Sequence, residues 1–183
     1  SALTGIPGTV GGAIFGNAGQ GPKGIWIDAF IESVTAYSDA EWKTLRKAEC
    51  EFSYRESTFK KQHSPIIWEA TFVIPSGNPA TIKANIESLL KKRIETQPHT
   101  KTAGSCFKAV GEMPAWQLID AVGLRGFKVG GIEISPKHAN FLINVGEGTY
   151  ADAVSVVEEV QEKIPENLDV EMRFVEASGT VRF

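Results

Sequence analysis

The chain has 183 residues, 42% of them hydrophobic and 22% charged, with a formal net charge of −3. That content suffices for one or two compact lobes with a sizeable core, and the mild acidity excludes a global basic field for nucleic acid or an anionic membrane. No apolar run is long enough to span a bilayer, and the two cysteines, Cys50 and Cys106, lie outside any metal or redox spacing.

Taken with three scattered histidines, these cysteines predict free thiols of a reducing compartment and no structural zinc. No signal peptide is expected, which points to the cytoplasm. The chain opens on Ser-Ala-Leu-Thr without an initiator Met. We therefore expect a fragment of a longer chain.

The first element is a loop, Gly5-Ile6-Pro7-Gly8-Thr9-Val10-Gly11-Gly12-Ala13-Ile14-Phe15-Gly16-Asn17-Ala18-Gly19, in which six of fifteen residues are glycine. Glycine lets a backbone approach a ligand or another backbone closely. A helix start at Val10 with free N–H groups before it suits a phosphate. The loop has neither the phosphate-loop ending nor the Gly-x-Gly-x-x-Gly spacing. Two readings stand: a tight loop packed on a sheet, or a cofactor loop.

Residues 29–37 predict a strand with Phe30, Glu32, Val34 and Ala36 on one face. A turn at Ser38-Asp39-Ala40 leads to a partner strand over 41–47, anchored by Trp42, and an apolar strand is expected over 66–74. Ile82, Ile86, Leu89, Leu90 and Ile94 share one face of a helix over 80–94, whose basic end, Lys91-Lys92-Arg93, suits the helix dipole. Residues 96–102 read as a linker and lobe boundary. A short helix over 114–122 turns Leu118, Ile119 and Val122 inward. Strands follow near 132–134 and 141–144. Thr149-x-x-Asp152 has the form of a capping box, opening a helix with Val154, Val157, Val160 and Ile164 on one side. Strands over 170–175 and 180–183 close the chain. Strand runs and helix runs are partly segregated, which predicts an α+β fold rather than a wound parallel sheet.

Three polar positions stand out, each with two readings. Arg55 is a surface arginine paired with a carboxylate, or a fixed cation for an anionic substrate. Ser105 is a turn serine, or a hydroxyl that gives or takes a proton; no nucleophile-elbow pattern surrounds it. Glu171 is solvated on the outer face of a strand, or faces a cleft.

In order along the chain stand the glycine loop, Tyr54-Arg55-Glu56-Ser57-x-Phe59-Lys60, Gln97-Pro98, Gly104-Ser105-x-Phe107-Lys108, Gly130-Gly131, Lys137-His138-Ala139-Asn140-Phe141 and Glu171-x-Arg173-Phe174. Each motif alone is weak, but the ordered set, from Gly5 to about Phe174, resembles the UDP-N-acetylenolpyruvoylglucosamine reductase (MurB) family. The short distance from Lys60 to the strand near Ile66 is similar to the shorter variant of that family.

The resemblance implies a remnant of a two-lobe FAD-binding domain: residues 1–97 as its second lobe, with strands from 169–183, and 98–168 as a small α+β substrate-binding domain. It implies FAD as cofactor, NADPH as co-substrate and a nucleotide-sugar substrate, with no nucleic-acid or membrane partner. It places Gly5, Ile6, Pro7, Gly8, Gly11, Gly12, Asn17 and Gly19 along the flavin. It makes Arg55 and Glu171 stabilisers of charge on the substrate and Ser105 the proton donor. Tyr54, Lys108, His138 and Arg173 are expected to touch substrate. A chain without the first lobe would expose apolar surface and tend to self-associate.

Three departures from the family pattern matter. Ala109-Val110 stand where an Asn-Pro pair is usual, Val170 stands for a proline before Glu171, and Gln20-Gly21-Pro22 replace Ala-Tyr-Gly. Cys106, beside Ser105, is expected to pack rather than act as an acid. The competing readings are a non-catalytic module that holds a nucleotide-sugar or a partner, and a related flavoprotein acting on another substrate.

Overall fold

The computed structural model describes residues 3–20, 24–62 and 65–183. The architecture is α+β, with antiparallel sheets and helices, as the sequence pattern predicts. The chain divides into two compact units, Ser1–Lys91 and Lys92–Phe183.

In the first unit, helix α1 (Val10–Phe15) begins where the sequence places it, because the Thr9 hydroxyl accepts from the Gly12 N–H at 3.0 Å. Strands β1 (Ile31–Ser38), β2 (Glu41–Arg46) and β3 (Ile66–Phe72) form an antiparallel sheet in the order β2-β1-β3. The β1–β2 hairpin turns through Asp39 and Ala40, both at positive φ, the geometry that matches the twist of the flanking strands. Val34 and Ala36 are buried on one sheet face, with Ile14 of α1, Ile27, Ile31, Cys50 and Phe59 in the same core. The predicted face of β1 is corrected at its start. Pairing with β3 is irregular between Ile31 and Ser33, so Ile31 turns inward and Glu32 outward.

Trp42 does not anchor the core. It pairs across the hairpin with Tyr37, on the face opposite Val34 and Ala36, and remains 59% exposed. Its ring lies 5.1 Å from Tyr37 and 6.0 Å from Trp68. The apolar strand β3 is largely exposed as well: Ile66 and Trp68, and Val73 and Ile74 just beyond it, face solvent, while Ile67, Ala70 and Phe72 pack on the core. Helix α2 (Pro79–Thr96) forms as the period predicts, but none of its residues is buried; Ile82, Leu90 and Ile94 are exposed.

The second unit is built around α3 (Ala115–Ala121) and α4 (Tyr150–Lys163). A three-stranded antiparallel sheet, β4 (Lys128–Val129), β5 (Ile132–Ile134) and β6 (Leu142–Asn144), runs in that order. Leu118, Ile119, Ile134, Val156, Val157, Val160 and Leu168 form its core, with Cys106 and Phe107 among them. The capping box on α4 is real: Thr149 Oγ1 accepts from the Asp152 N–H at 3.1 Å, and the Asp152 carboxylate accepts from the Thr149 N–H at 2.9 Å. Asp152 also accepts from the Gly131 N–H at 3.3 Å. Of the strand expected over 170–175, only β7 (Phe174–Val175) forms; it pairs with β8 (Val181–Arg182). Val170 makes a single bridge to Phe107 instead.

Candidate functional site

The expected residues fall into two groups, one in each unit. In the first, the glycine loop and the Tyr54–Lys60 segment are laced together. Ser53 and Glu56 exchange main-chain hydrogen bonds at 3.1 Å, closing a tight turn with Arg55 at φ 58. A side chain in this left-handed region is uncommon and is held there by its surroundings. The Arg55 guanidinium donates to the carbonyls of Gly19 at 3.0 Å and Asn17 at 3.5 Å, and lies 5.7 Å from the Tyr54 ring. Tyr54 in turn packs 6.0 Å from Trp26. Ser57, fully buried, donates its hydroxyl to the Phe15 carbonyl at 2.7 Å. Ser57 and Arg55 thus take up carbonyls at and just beyond the end of α1, which the helix itself leaves unpaired.

The eight residues expected along a flavin divide by environment. Gly5, Ile6, Pro7 and Gly8 are exposed. Gly8 has φ +140, and a Cβ added there would meet nothing within 4 Å. Gly11 faces Ile67 of β3, and the Gly12 N–H is held by the Thr9 cap. A Cβ on Gly19 would fall 1.8 Å from the Trp26 ring, so glycine there serves packing. Asn17 is fully buried at φ 41; its Nδ2 donates to the Ser53 carbonyl at 2.9 Å and its Oδ1 accepts from the Asp28 N–H at 3.3 Å. Its side chain is spent on the protein, and so is its main chain: the N–H donates to the Ile14 carbonyl at 3.2 Å and the carbonyl accepts from Arg55. Of the three departures noted in the sequence, Gly21 and Pro22 lie outside the described residues.

In the second unit, the extended segment from Ser105 to Lys108 runs between two others. On one side, Ser105 bridges Phe141 and the Cys106 N–H donates to the Asn140 carbonyl at 2.8 Å. On the other, the Glu171 N–H donates to the Cys106 carbonyl at 2.7 Å and the Lys108 N–H to the Asp169 carbonyl at 2.9 Å. This arrangement brings Ser105 and Glu171 to neighbouring strands, each half-buried, with Arg173 exposed two residues on. Cys106 points into the core, as expected; burial, and next the Glu171 carboxylate, push its thiol pKa well up. It is therefore inert packing.

His138 is half-buried between rings, 4.7 Å from Phe141 and 6.3 Å from Trp116. Burial, and next the Arg125 cation, lower its pKa, so it is neutral at pH 7. Its Nδ1 accepts from the Asn140 N–H at 3.3 Å, which leaves Nε2 to carry the proton. Arg125 is itself paired with Asp120 through both carboxylate oxygens. The Gly130-Gly131 pair is structural: a Cβ on Gly131 would lie 2.2 Å from the Gly148 nitrogen. Among the described residues, no three His, Cys, Asp or Glu side chains are grouped to hold a metal.

Asn140 stands in the Lys137–Phe141 motif, but the sequence assigns it no role. It is buried, its Oδ1 accepts from the Phe107 N–H at 2.9 Å, and its Nδ2 donates to the Phe107 carbonyl at 2.8 Å. A polar residue between Ala139 and Phe141, both buried, was the available signal.

Comparison with known proteins agrees with the resemblance. Residues 97–174 match the family model described as UDP-N-acetylenolpyruvoylglucosamine reductase, C-terminal domain. Over 170 residues the chain is 41% identical to a protein of that name from Thermotoga sp. (strain RQ2), covering 92% of this chain and 56% of the relative. Another from Enterococcus faecalis is 39% identical over 171 residues, with the same coverages. The crystal structure of the Thermus caldophilus enzyme superposes with a TM-score of 0.83 at 32% identity, covering 93% of this chain and 61% of that one. The chain thus spans little more than half the length of the curated relatives it matches.

Proposed function

We propose, from the match of residues 97–174 to the UDP-N-acetylenolpyruvoylglucosamine reductase C-terminal domain, that the chain is part of a reductase of that specificity. Its substrate is UDP-N-acetylglucosamine enolpyruvate, its product is UDP-N-acetylmuramate, and its setting is peptidoglycan synthesis in the bacterial cytoplasm. No helix among the described residues is long and apolar enough to cross a membrane.

The exposed Gly5–Gly8 main chain, open above Gly8, fits a large planar cofactor approaching the backbone closely. When bound, FAD supplies a hydride to the substrate double bond and receives one from NADPH. Hydride addition to one alkene carbon leaves an electron pair on the other, delocalised into the neighbouring carboxylate. Catalysis is then stabilisation of that charge and delivery of one proton. Ser105 Oγ gives its proton to the carbanionic carbon, which completes reduction of the double bond. Glu171, in its protonated form, would donate a hydrogen bond to the developing enolate, and the Arg55 guanidinium offsets its charge. Lys108, Arg173, Tyr54 and His138 hold the substrate; His138, neutral, offers its Nε2–H as a donor. The exposed apolar residues of β3 favour self-association.

The observation that supports this reading most is the hydrogen bond from the Glu171 N–H to the Cys106 carbonyl, one residue along from Ser105. Anaerobic titration of the reduced, FAD-loaded full-length protein with the enolpyruvyl substrate tests it. Reoxidation of the flavin is expected. Tight binding without reoxidation would instead favour the non-catalytic module to which Ala109-Val110 points, and reoxidation by other acceptors only would favour a different substrate.

A further inference from the structure

We propose that Asn140 is a positioning residue, whose buried carboxamide holds the Ser105–Phe107 segment at the register in which Ser105 delivers its proton. The inference rests on the reductase reading for the role of Ser105, but the clamp itself rests on geometry alone.

Three hydrogen bonds join this one residue to Cys106 and Phe107. The carboxamide accepts from the Phe107 N–H and donates to the Phe107 carbonyl. It thereby imitates the backbone of a neighbouring strand at a place where no regular strand runs. The main-chain carbonyl of Asn140 accepts from the Cys106 N–H. Its own N–H is braced on His138 Nδ1. Ser105 bridges Phe141, the next residue along. The segment on the other side, at Asp169 and Glu171, fixes Lys108 and the Cys106 carbonyl. Residues 106–108 are therefore bonded along both edges, and Asn140 supplies most of one edge.

Such a layout constrains a hydroxyl more than stability alone requires. Phe107 and Cys106 are buried in the core, where apolar packing already retains them. The buried side chains set which residues face inward, but the hydrophobic effect is non-directional and does not by itself fix the main-chain groups against small shifts or rotations. Two opposed hydrogen bonds, to the N–H and the C=O of a single residue, do. A displacement of about 1 Å at a catalytic group costs on the order of a hundredfold in rate, so the clamp acts on the transition state rather than on substrate affinity.

Two measurements on Asn140→Ala decide the matter. In this chain, hydrogen exchange at the Cys106 and Phe107 amides is compared with that at Val156, Val157 and Val160 in α4. We expect the first pair to exchange on the order of tenfold faster while the α4 amides change less. Equal acceleration throughout the unit would overturn the clamp and leave a residue that serves general stability. In the full-length, FAD-loaded protein, we expect kcat for the enolpyruvyl substrate to fall about tenfold or more with KM held within about twofold. In a Ser105→Ala background the same substitution should cost nothing further; independent, additive losses would overturn action through Ser105. Where Asn140→Ala does not fold, Asn140→Ser serves both measurements, because its short, uncharged side chain cannot span the Phe107 N–H and carbonyl together. A parent protein that does not turn over would overturn the reductase reading, and the exchange comparison would still decide the clamp.

Discussion

The Asn17 side chain donates to the carbonyl of Ser53 at 2.9 Å, across 36 residues of sequence. Through this bond the turn that carries Arg55 is fixed to the end of the glycine-rich loop. Arg55 returns the link by donating to Gly19. The cation of the proposed reaction and the loop proposed to hold the cofactor are therefore one mechanical unit, and a change in either displaces the other.

Replacing Asn17 tests this coupling. Asn17→Ala removes one of the two hydrogen bonds to the Ser53 carbonyl, which keeps the one from the Glu56 N–H, and takes the side-chain acceptor from the Asp28 N–H, at roughly 1–3 kcal/mol. It also keeps a Cβ at φ 41 without the local side-chain hydrogen bonds that make asparagine tolerable there. Asn17→Gly loses the same bonds but not the conformational freedom, and should be the milder variant by roughly 1 kcal/mol. Urea unfolding of both variants gives the ranking. Equal losses would show that the backbone geometry at residue 17 carries no cost.

Gly131 offers a test of packing with an internal control. A methyl group there collides with the Gly148 backbone at 2.2 Å, which cannot swing aside as a flexible side chain does. Gly131→Ala should cost about 1–3 kcal/mol. Gly146, in the same loop region, would place a Cβ in open space, and Gly146→Ala should change stability by no more than about 0.5 kcal/mol. Thermal unfolding of the two variants side by side checks the contrast; similar midpoints would mean that the Gly131–Gly148 approach is not as close as described.

What could be read from the sequence follows the physics that leaves a periodic trace. Helices α2 and α4, and the Thr149–Asp152 cap, are legible because apolar spacing and capping chemistry are local. The Ile31–Ser33 irregularity is not, since a single extra residue shifts the burial phase of β1 without altering composition. The exposure of β3 and α2 is invisible for another reason: an apolar stripe says which face prefers burial, not what covers it. At the site, the motifs named the right segments but not the duties within them. Asn17 and Asn140 look like loop polar residues until coordinates show both ends of each carboxamide bound to distant backbone. The missing Cβ atoms of Gly19 and Gly131 make room for Trp26 and Gly148, a packing duty that the motifs do not reveal.

Acid stability should report on the cap of α4. Hydrogen bonds from the Thr149 N–H, and next from the Gly131 N–H, hold the Asp152 carboxyl below the usual carboxylate range. A pKa depressed in the folded state means that the ionised form is favoured by folding. The stability it confers is complete above the unfolded value of about 3.9 and is lost as pH falls through the lower folded value. Asp152→Asn removes that titration and should flatten the unfolding free energy of the second unit below about pH 4, relative to the parent. Parallel acid limbs for the two proteins would show that Asp152 is not preferentially ionised by folding.

The proposed chemistry separates the two half-reactions, and Ser105→Ala exploits the separation. The hydroxyl acts only after hydride has reached the substrate, because its proton goes to the carbanionic carbon. Removing it should slow flavin reoxidation by the enolpyruvyl substrate about a hundredfold or more, the usual range for a lost general acid. Reduction by NADPH involves no such proton and should keep its rate. The substitution should fold normally: Ser105 is held by its main-chain bridge to Phe141, and neither that pairing nor the buried Cys106 beside it depends on the hydroxyl. Stopped-flow traces at the flavin absorbance, taken for each half-reaction under anaerobic conditions, give both rates. Equal slowing of the two would remove Ser105 from the proton-donor role and assign it to cofactor placement, whereas an unaffected reoxidation rate would require a different proton source on the same strand pair.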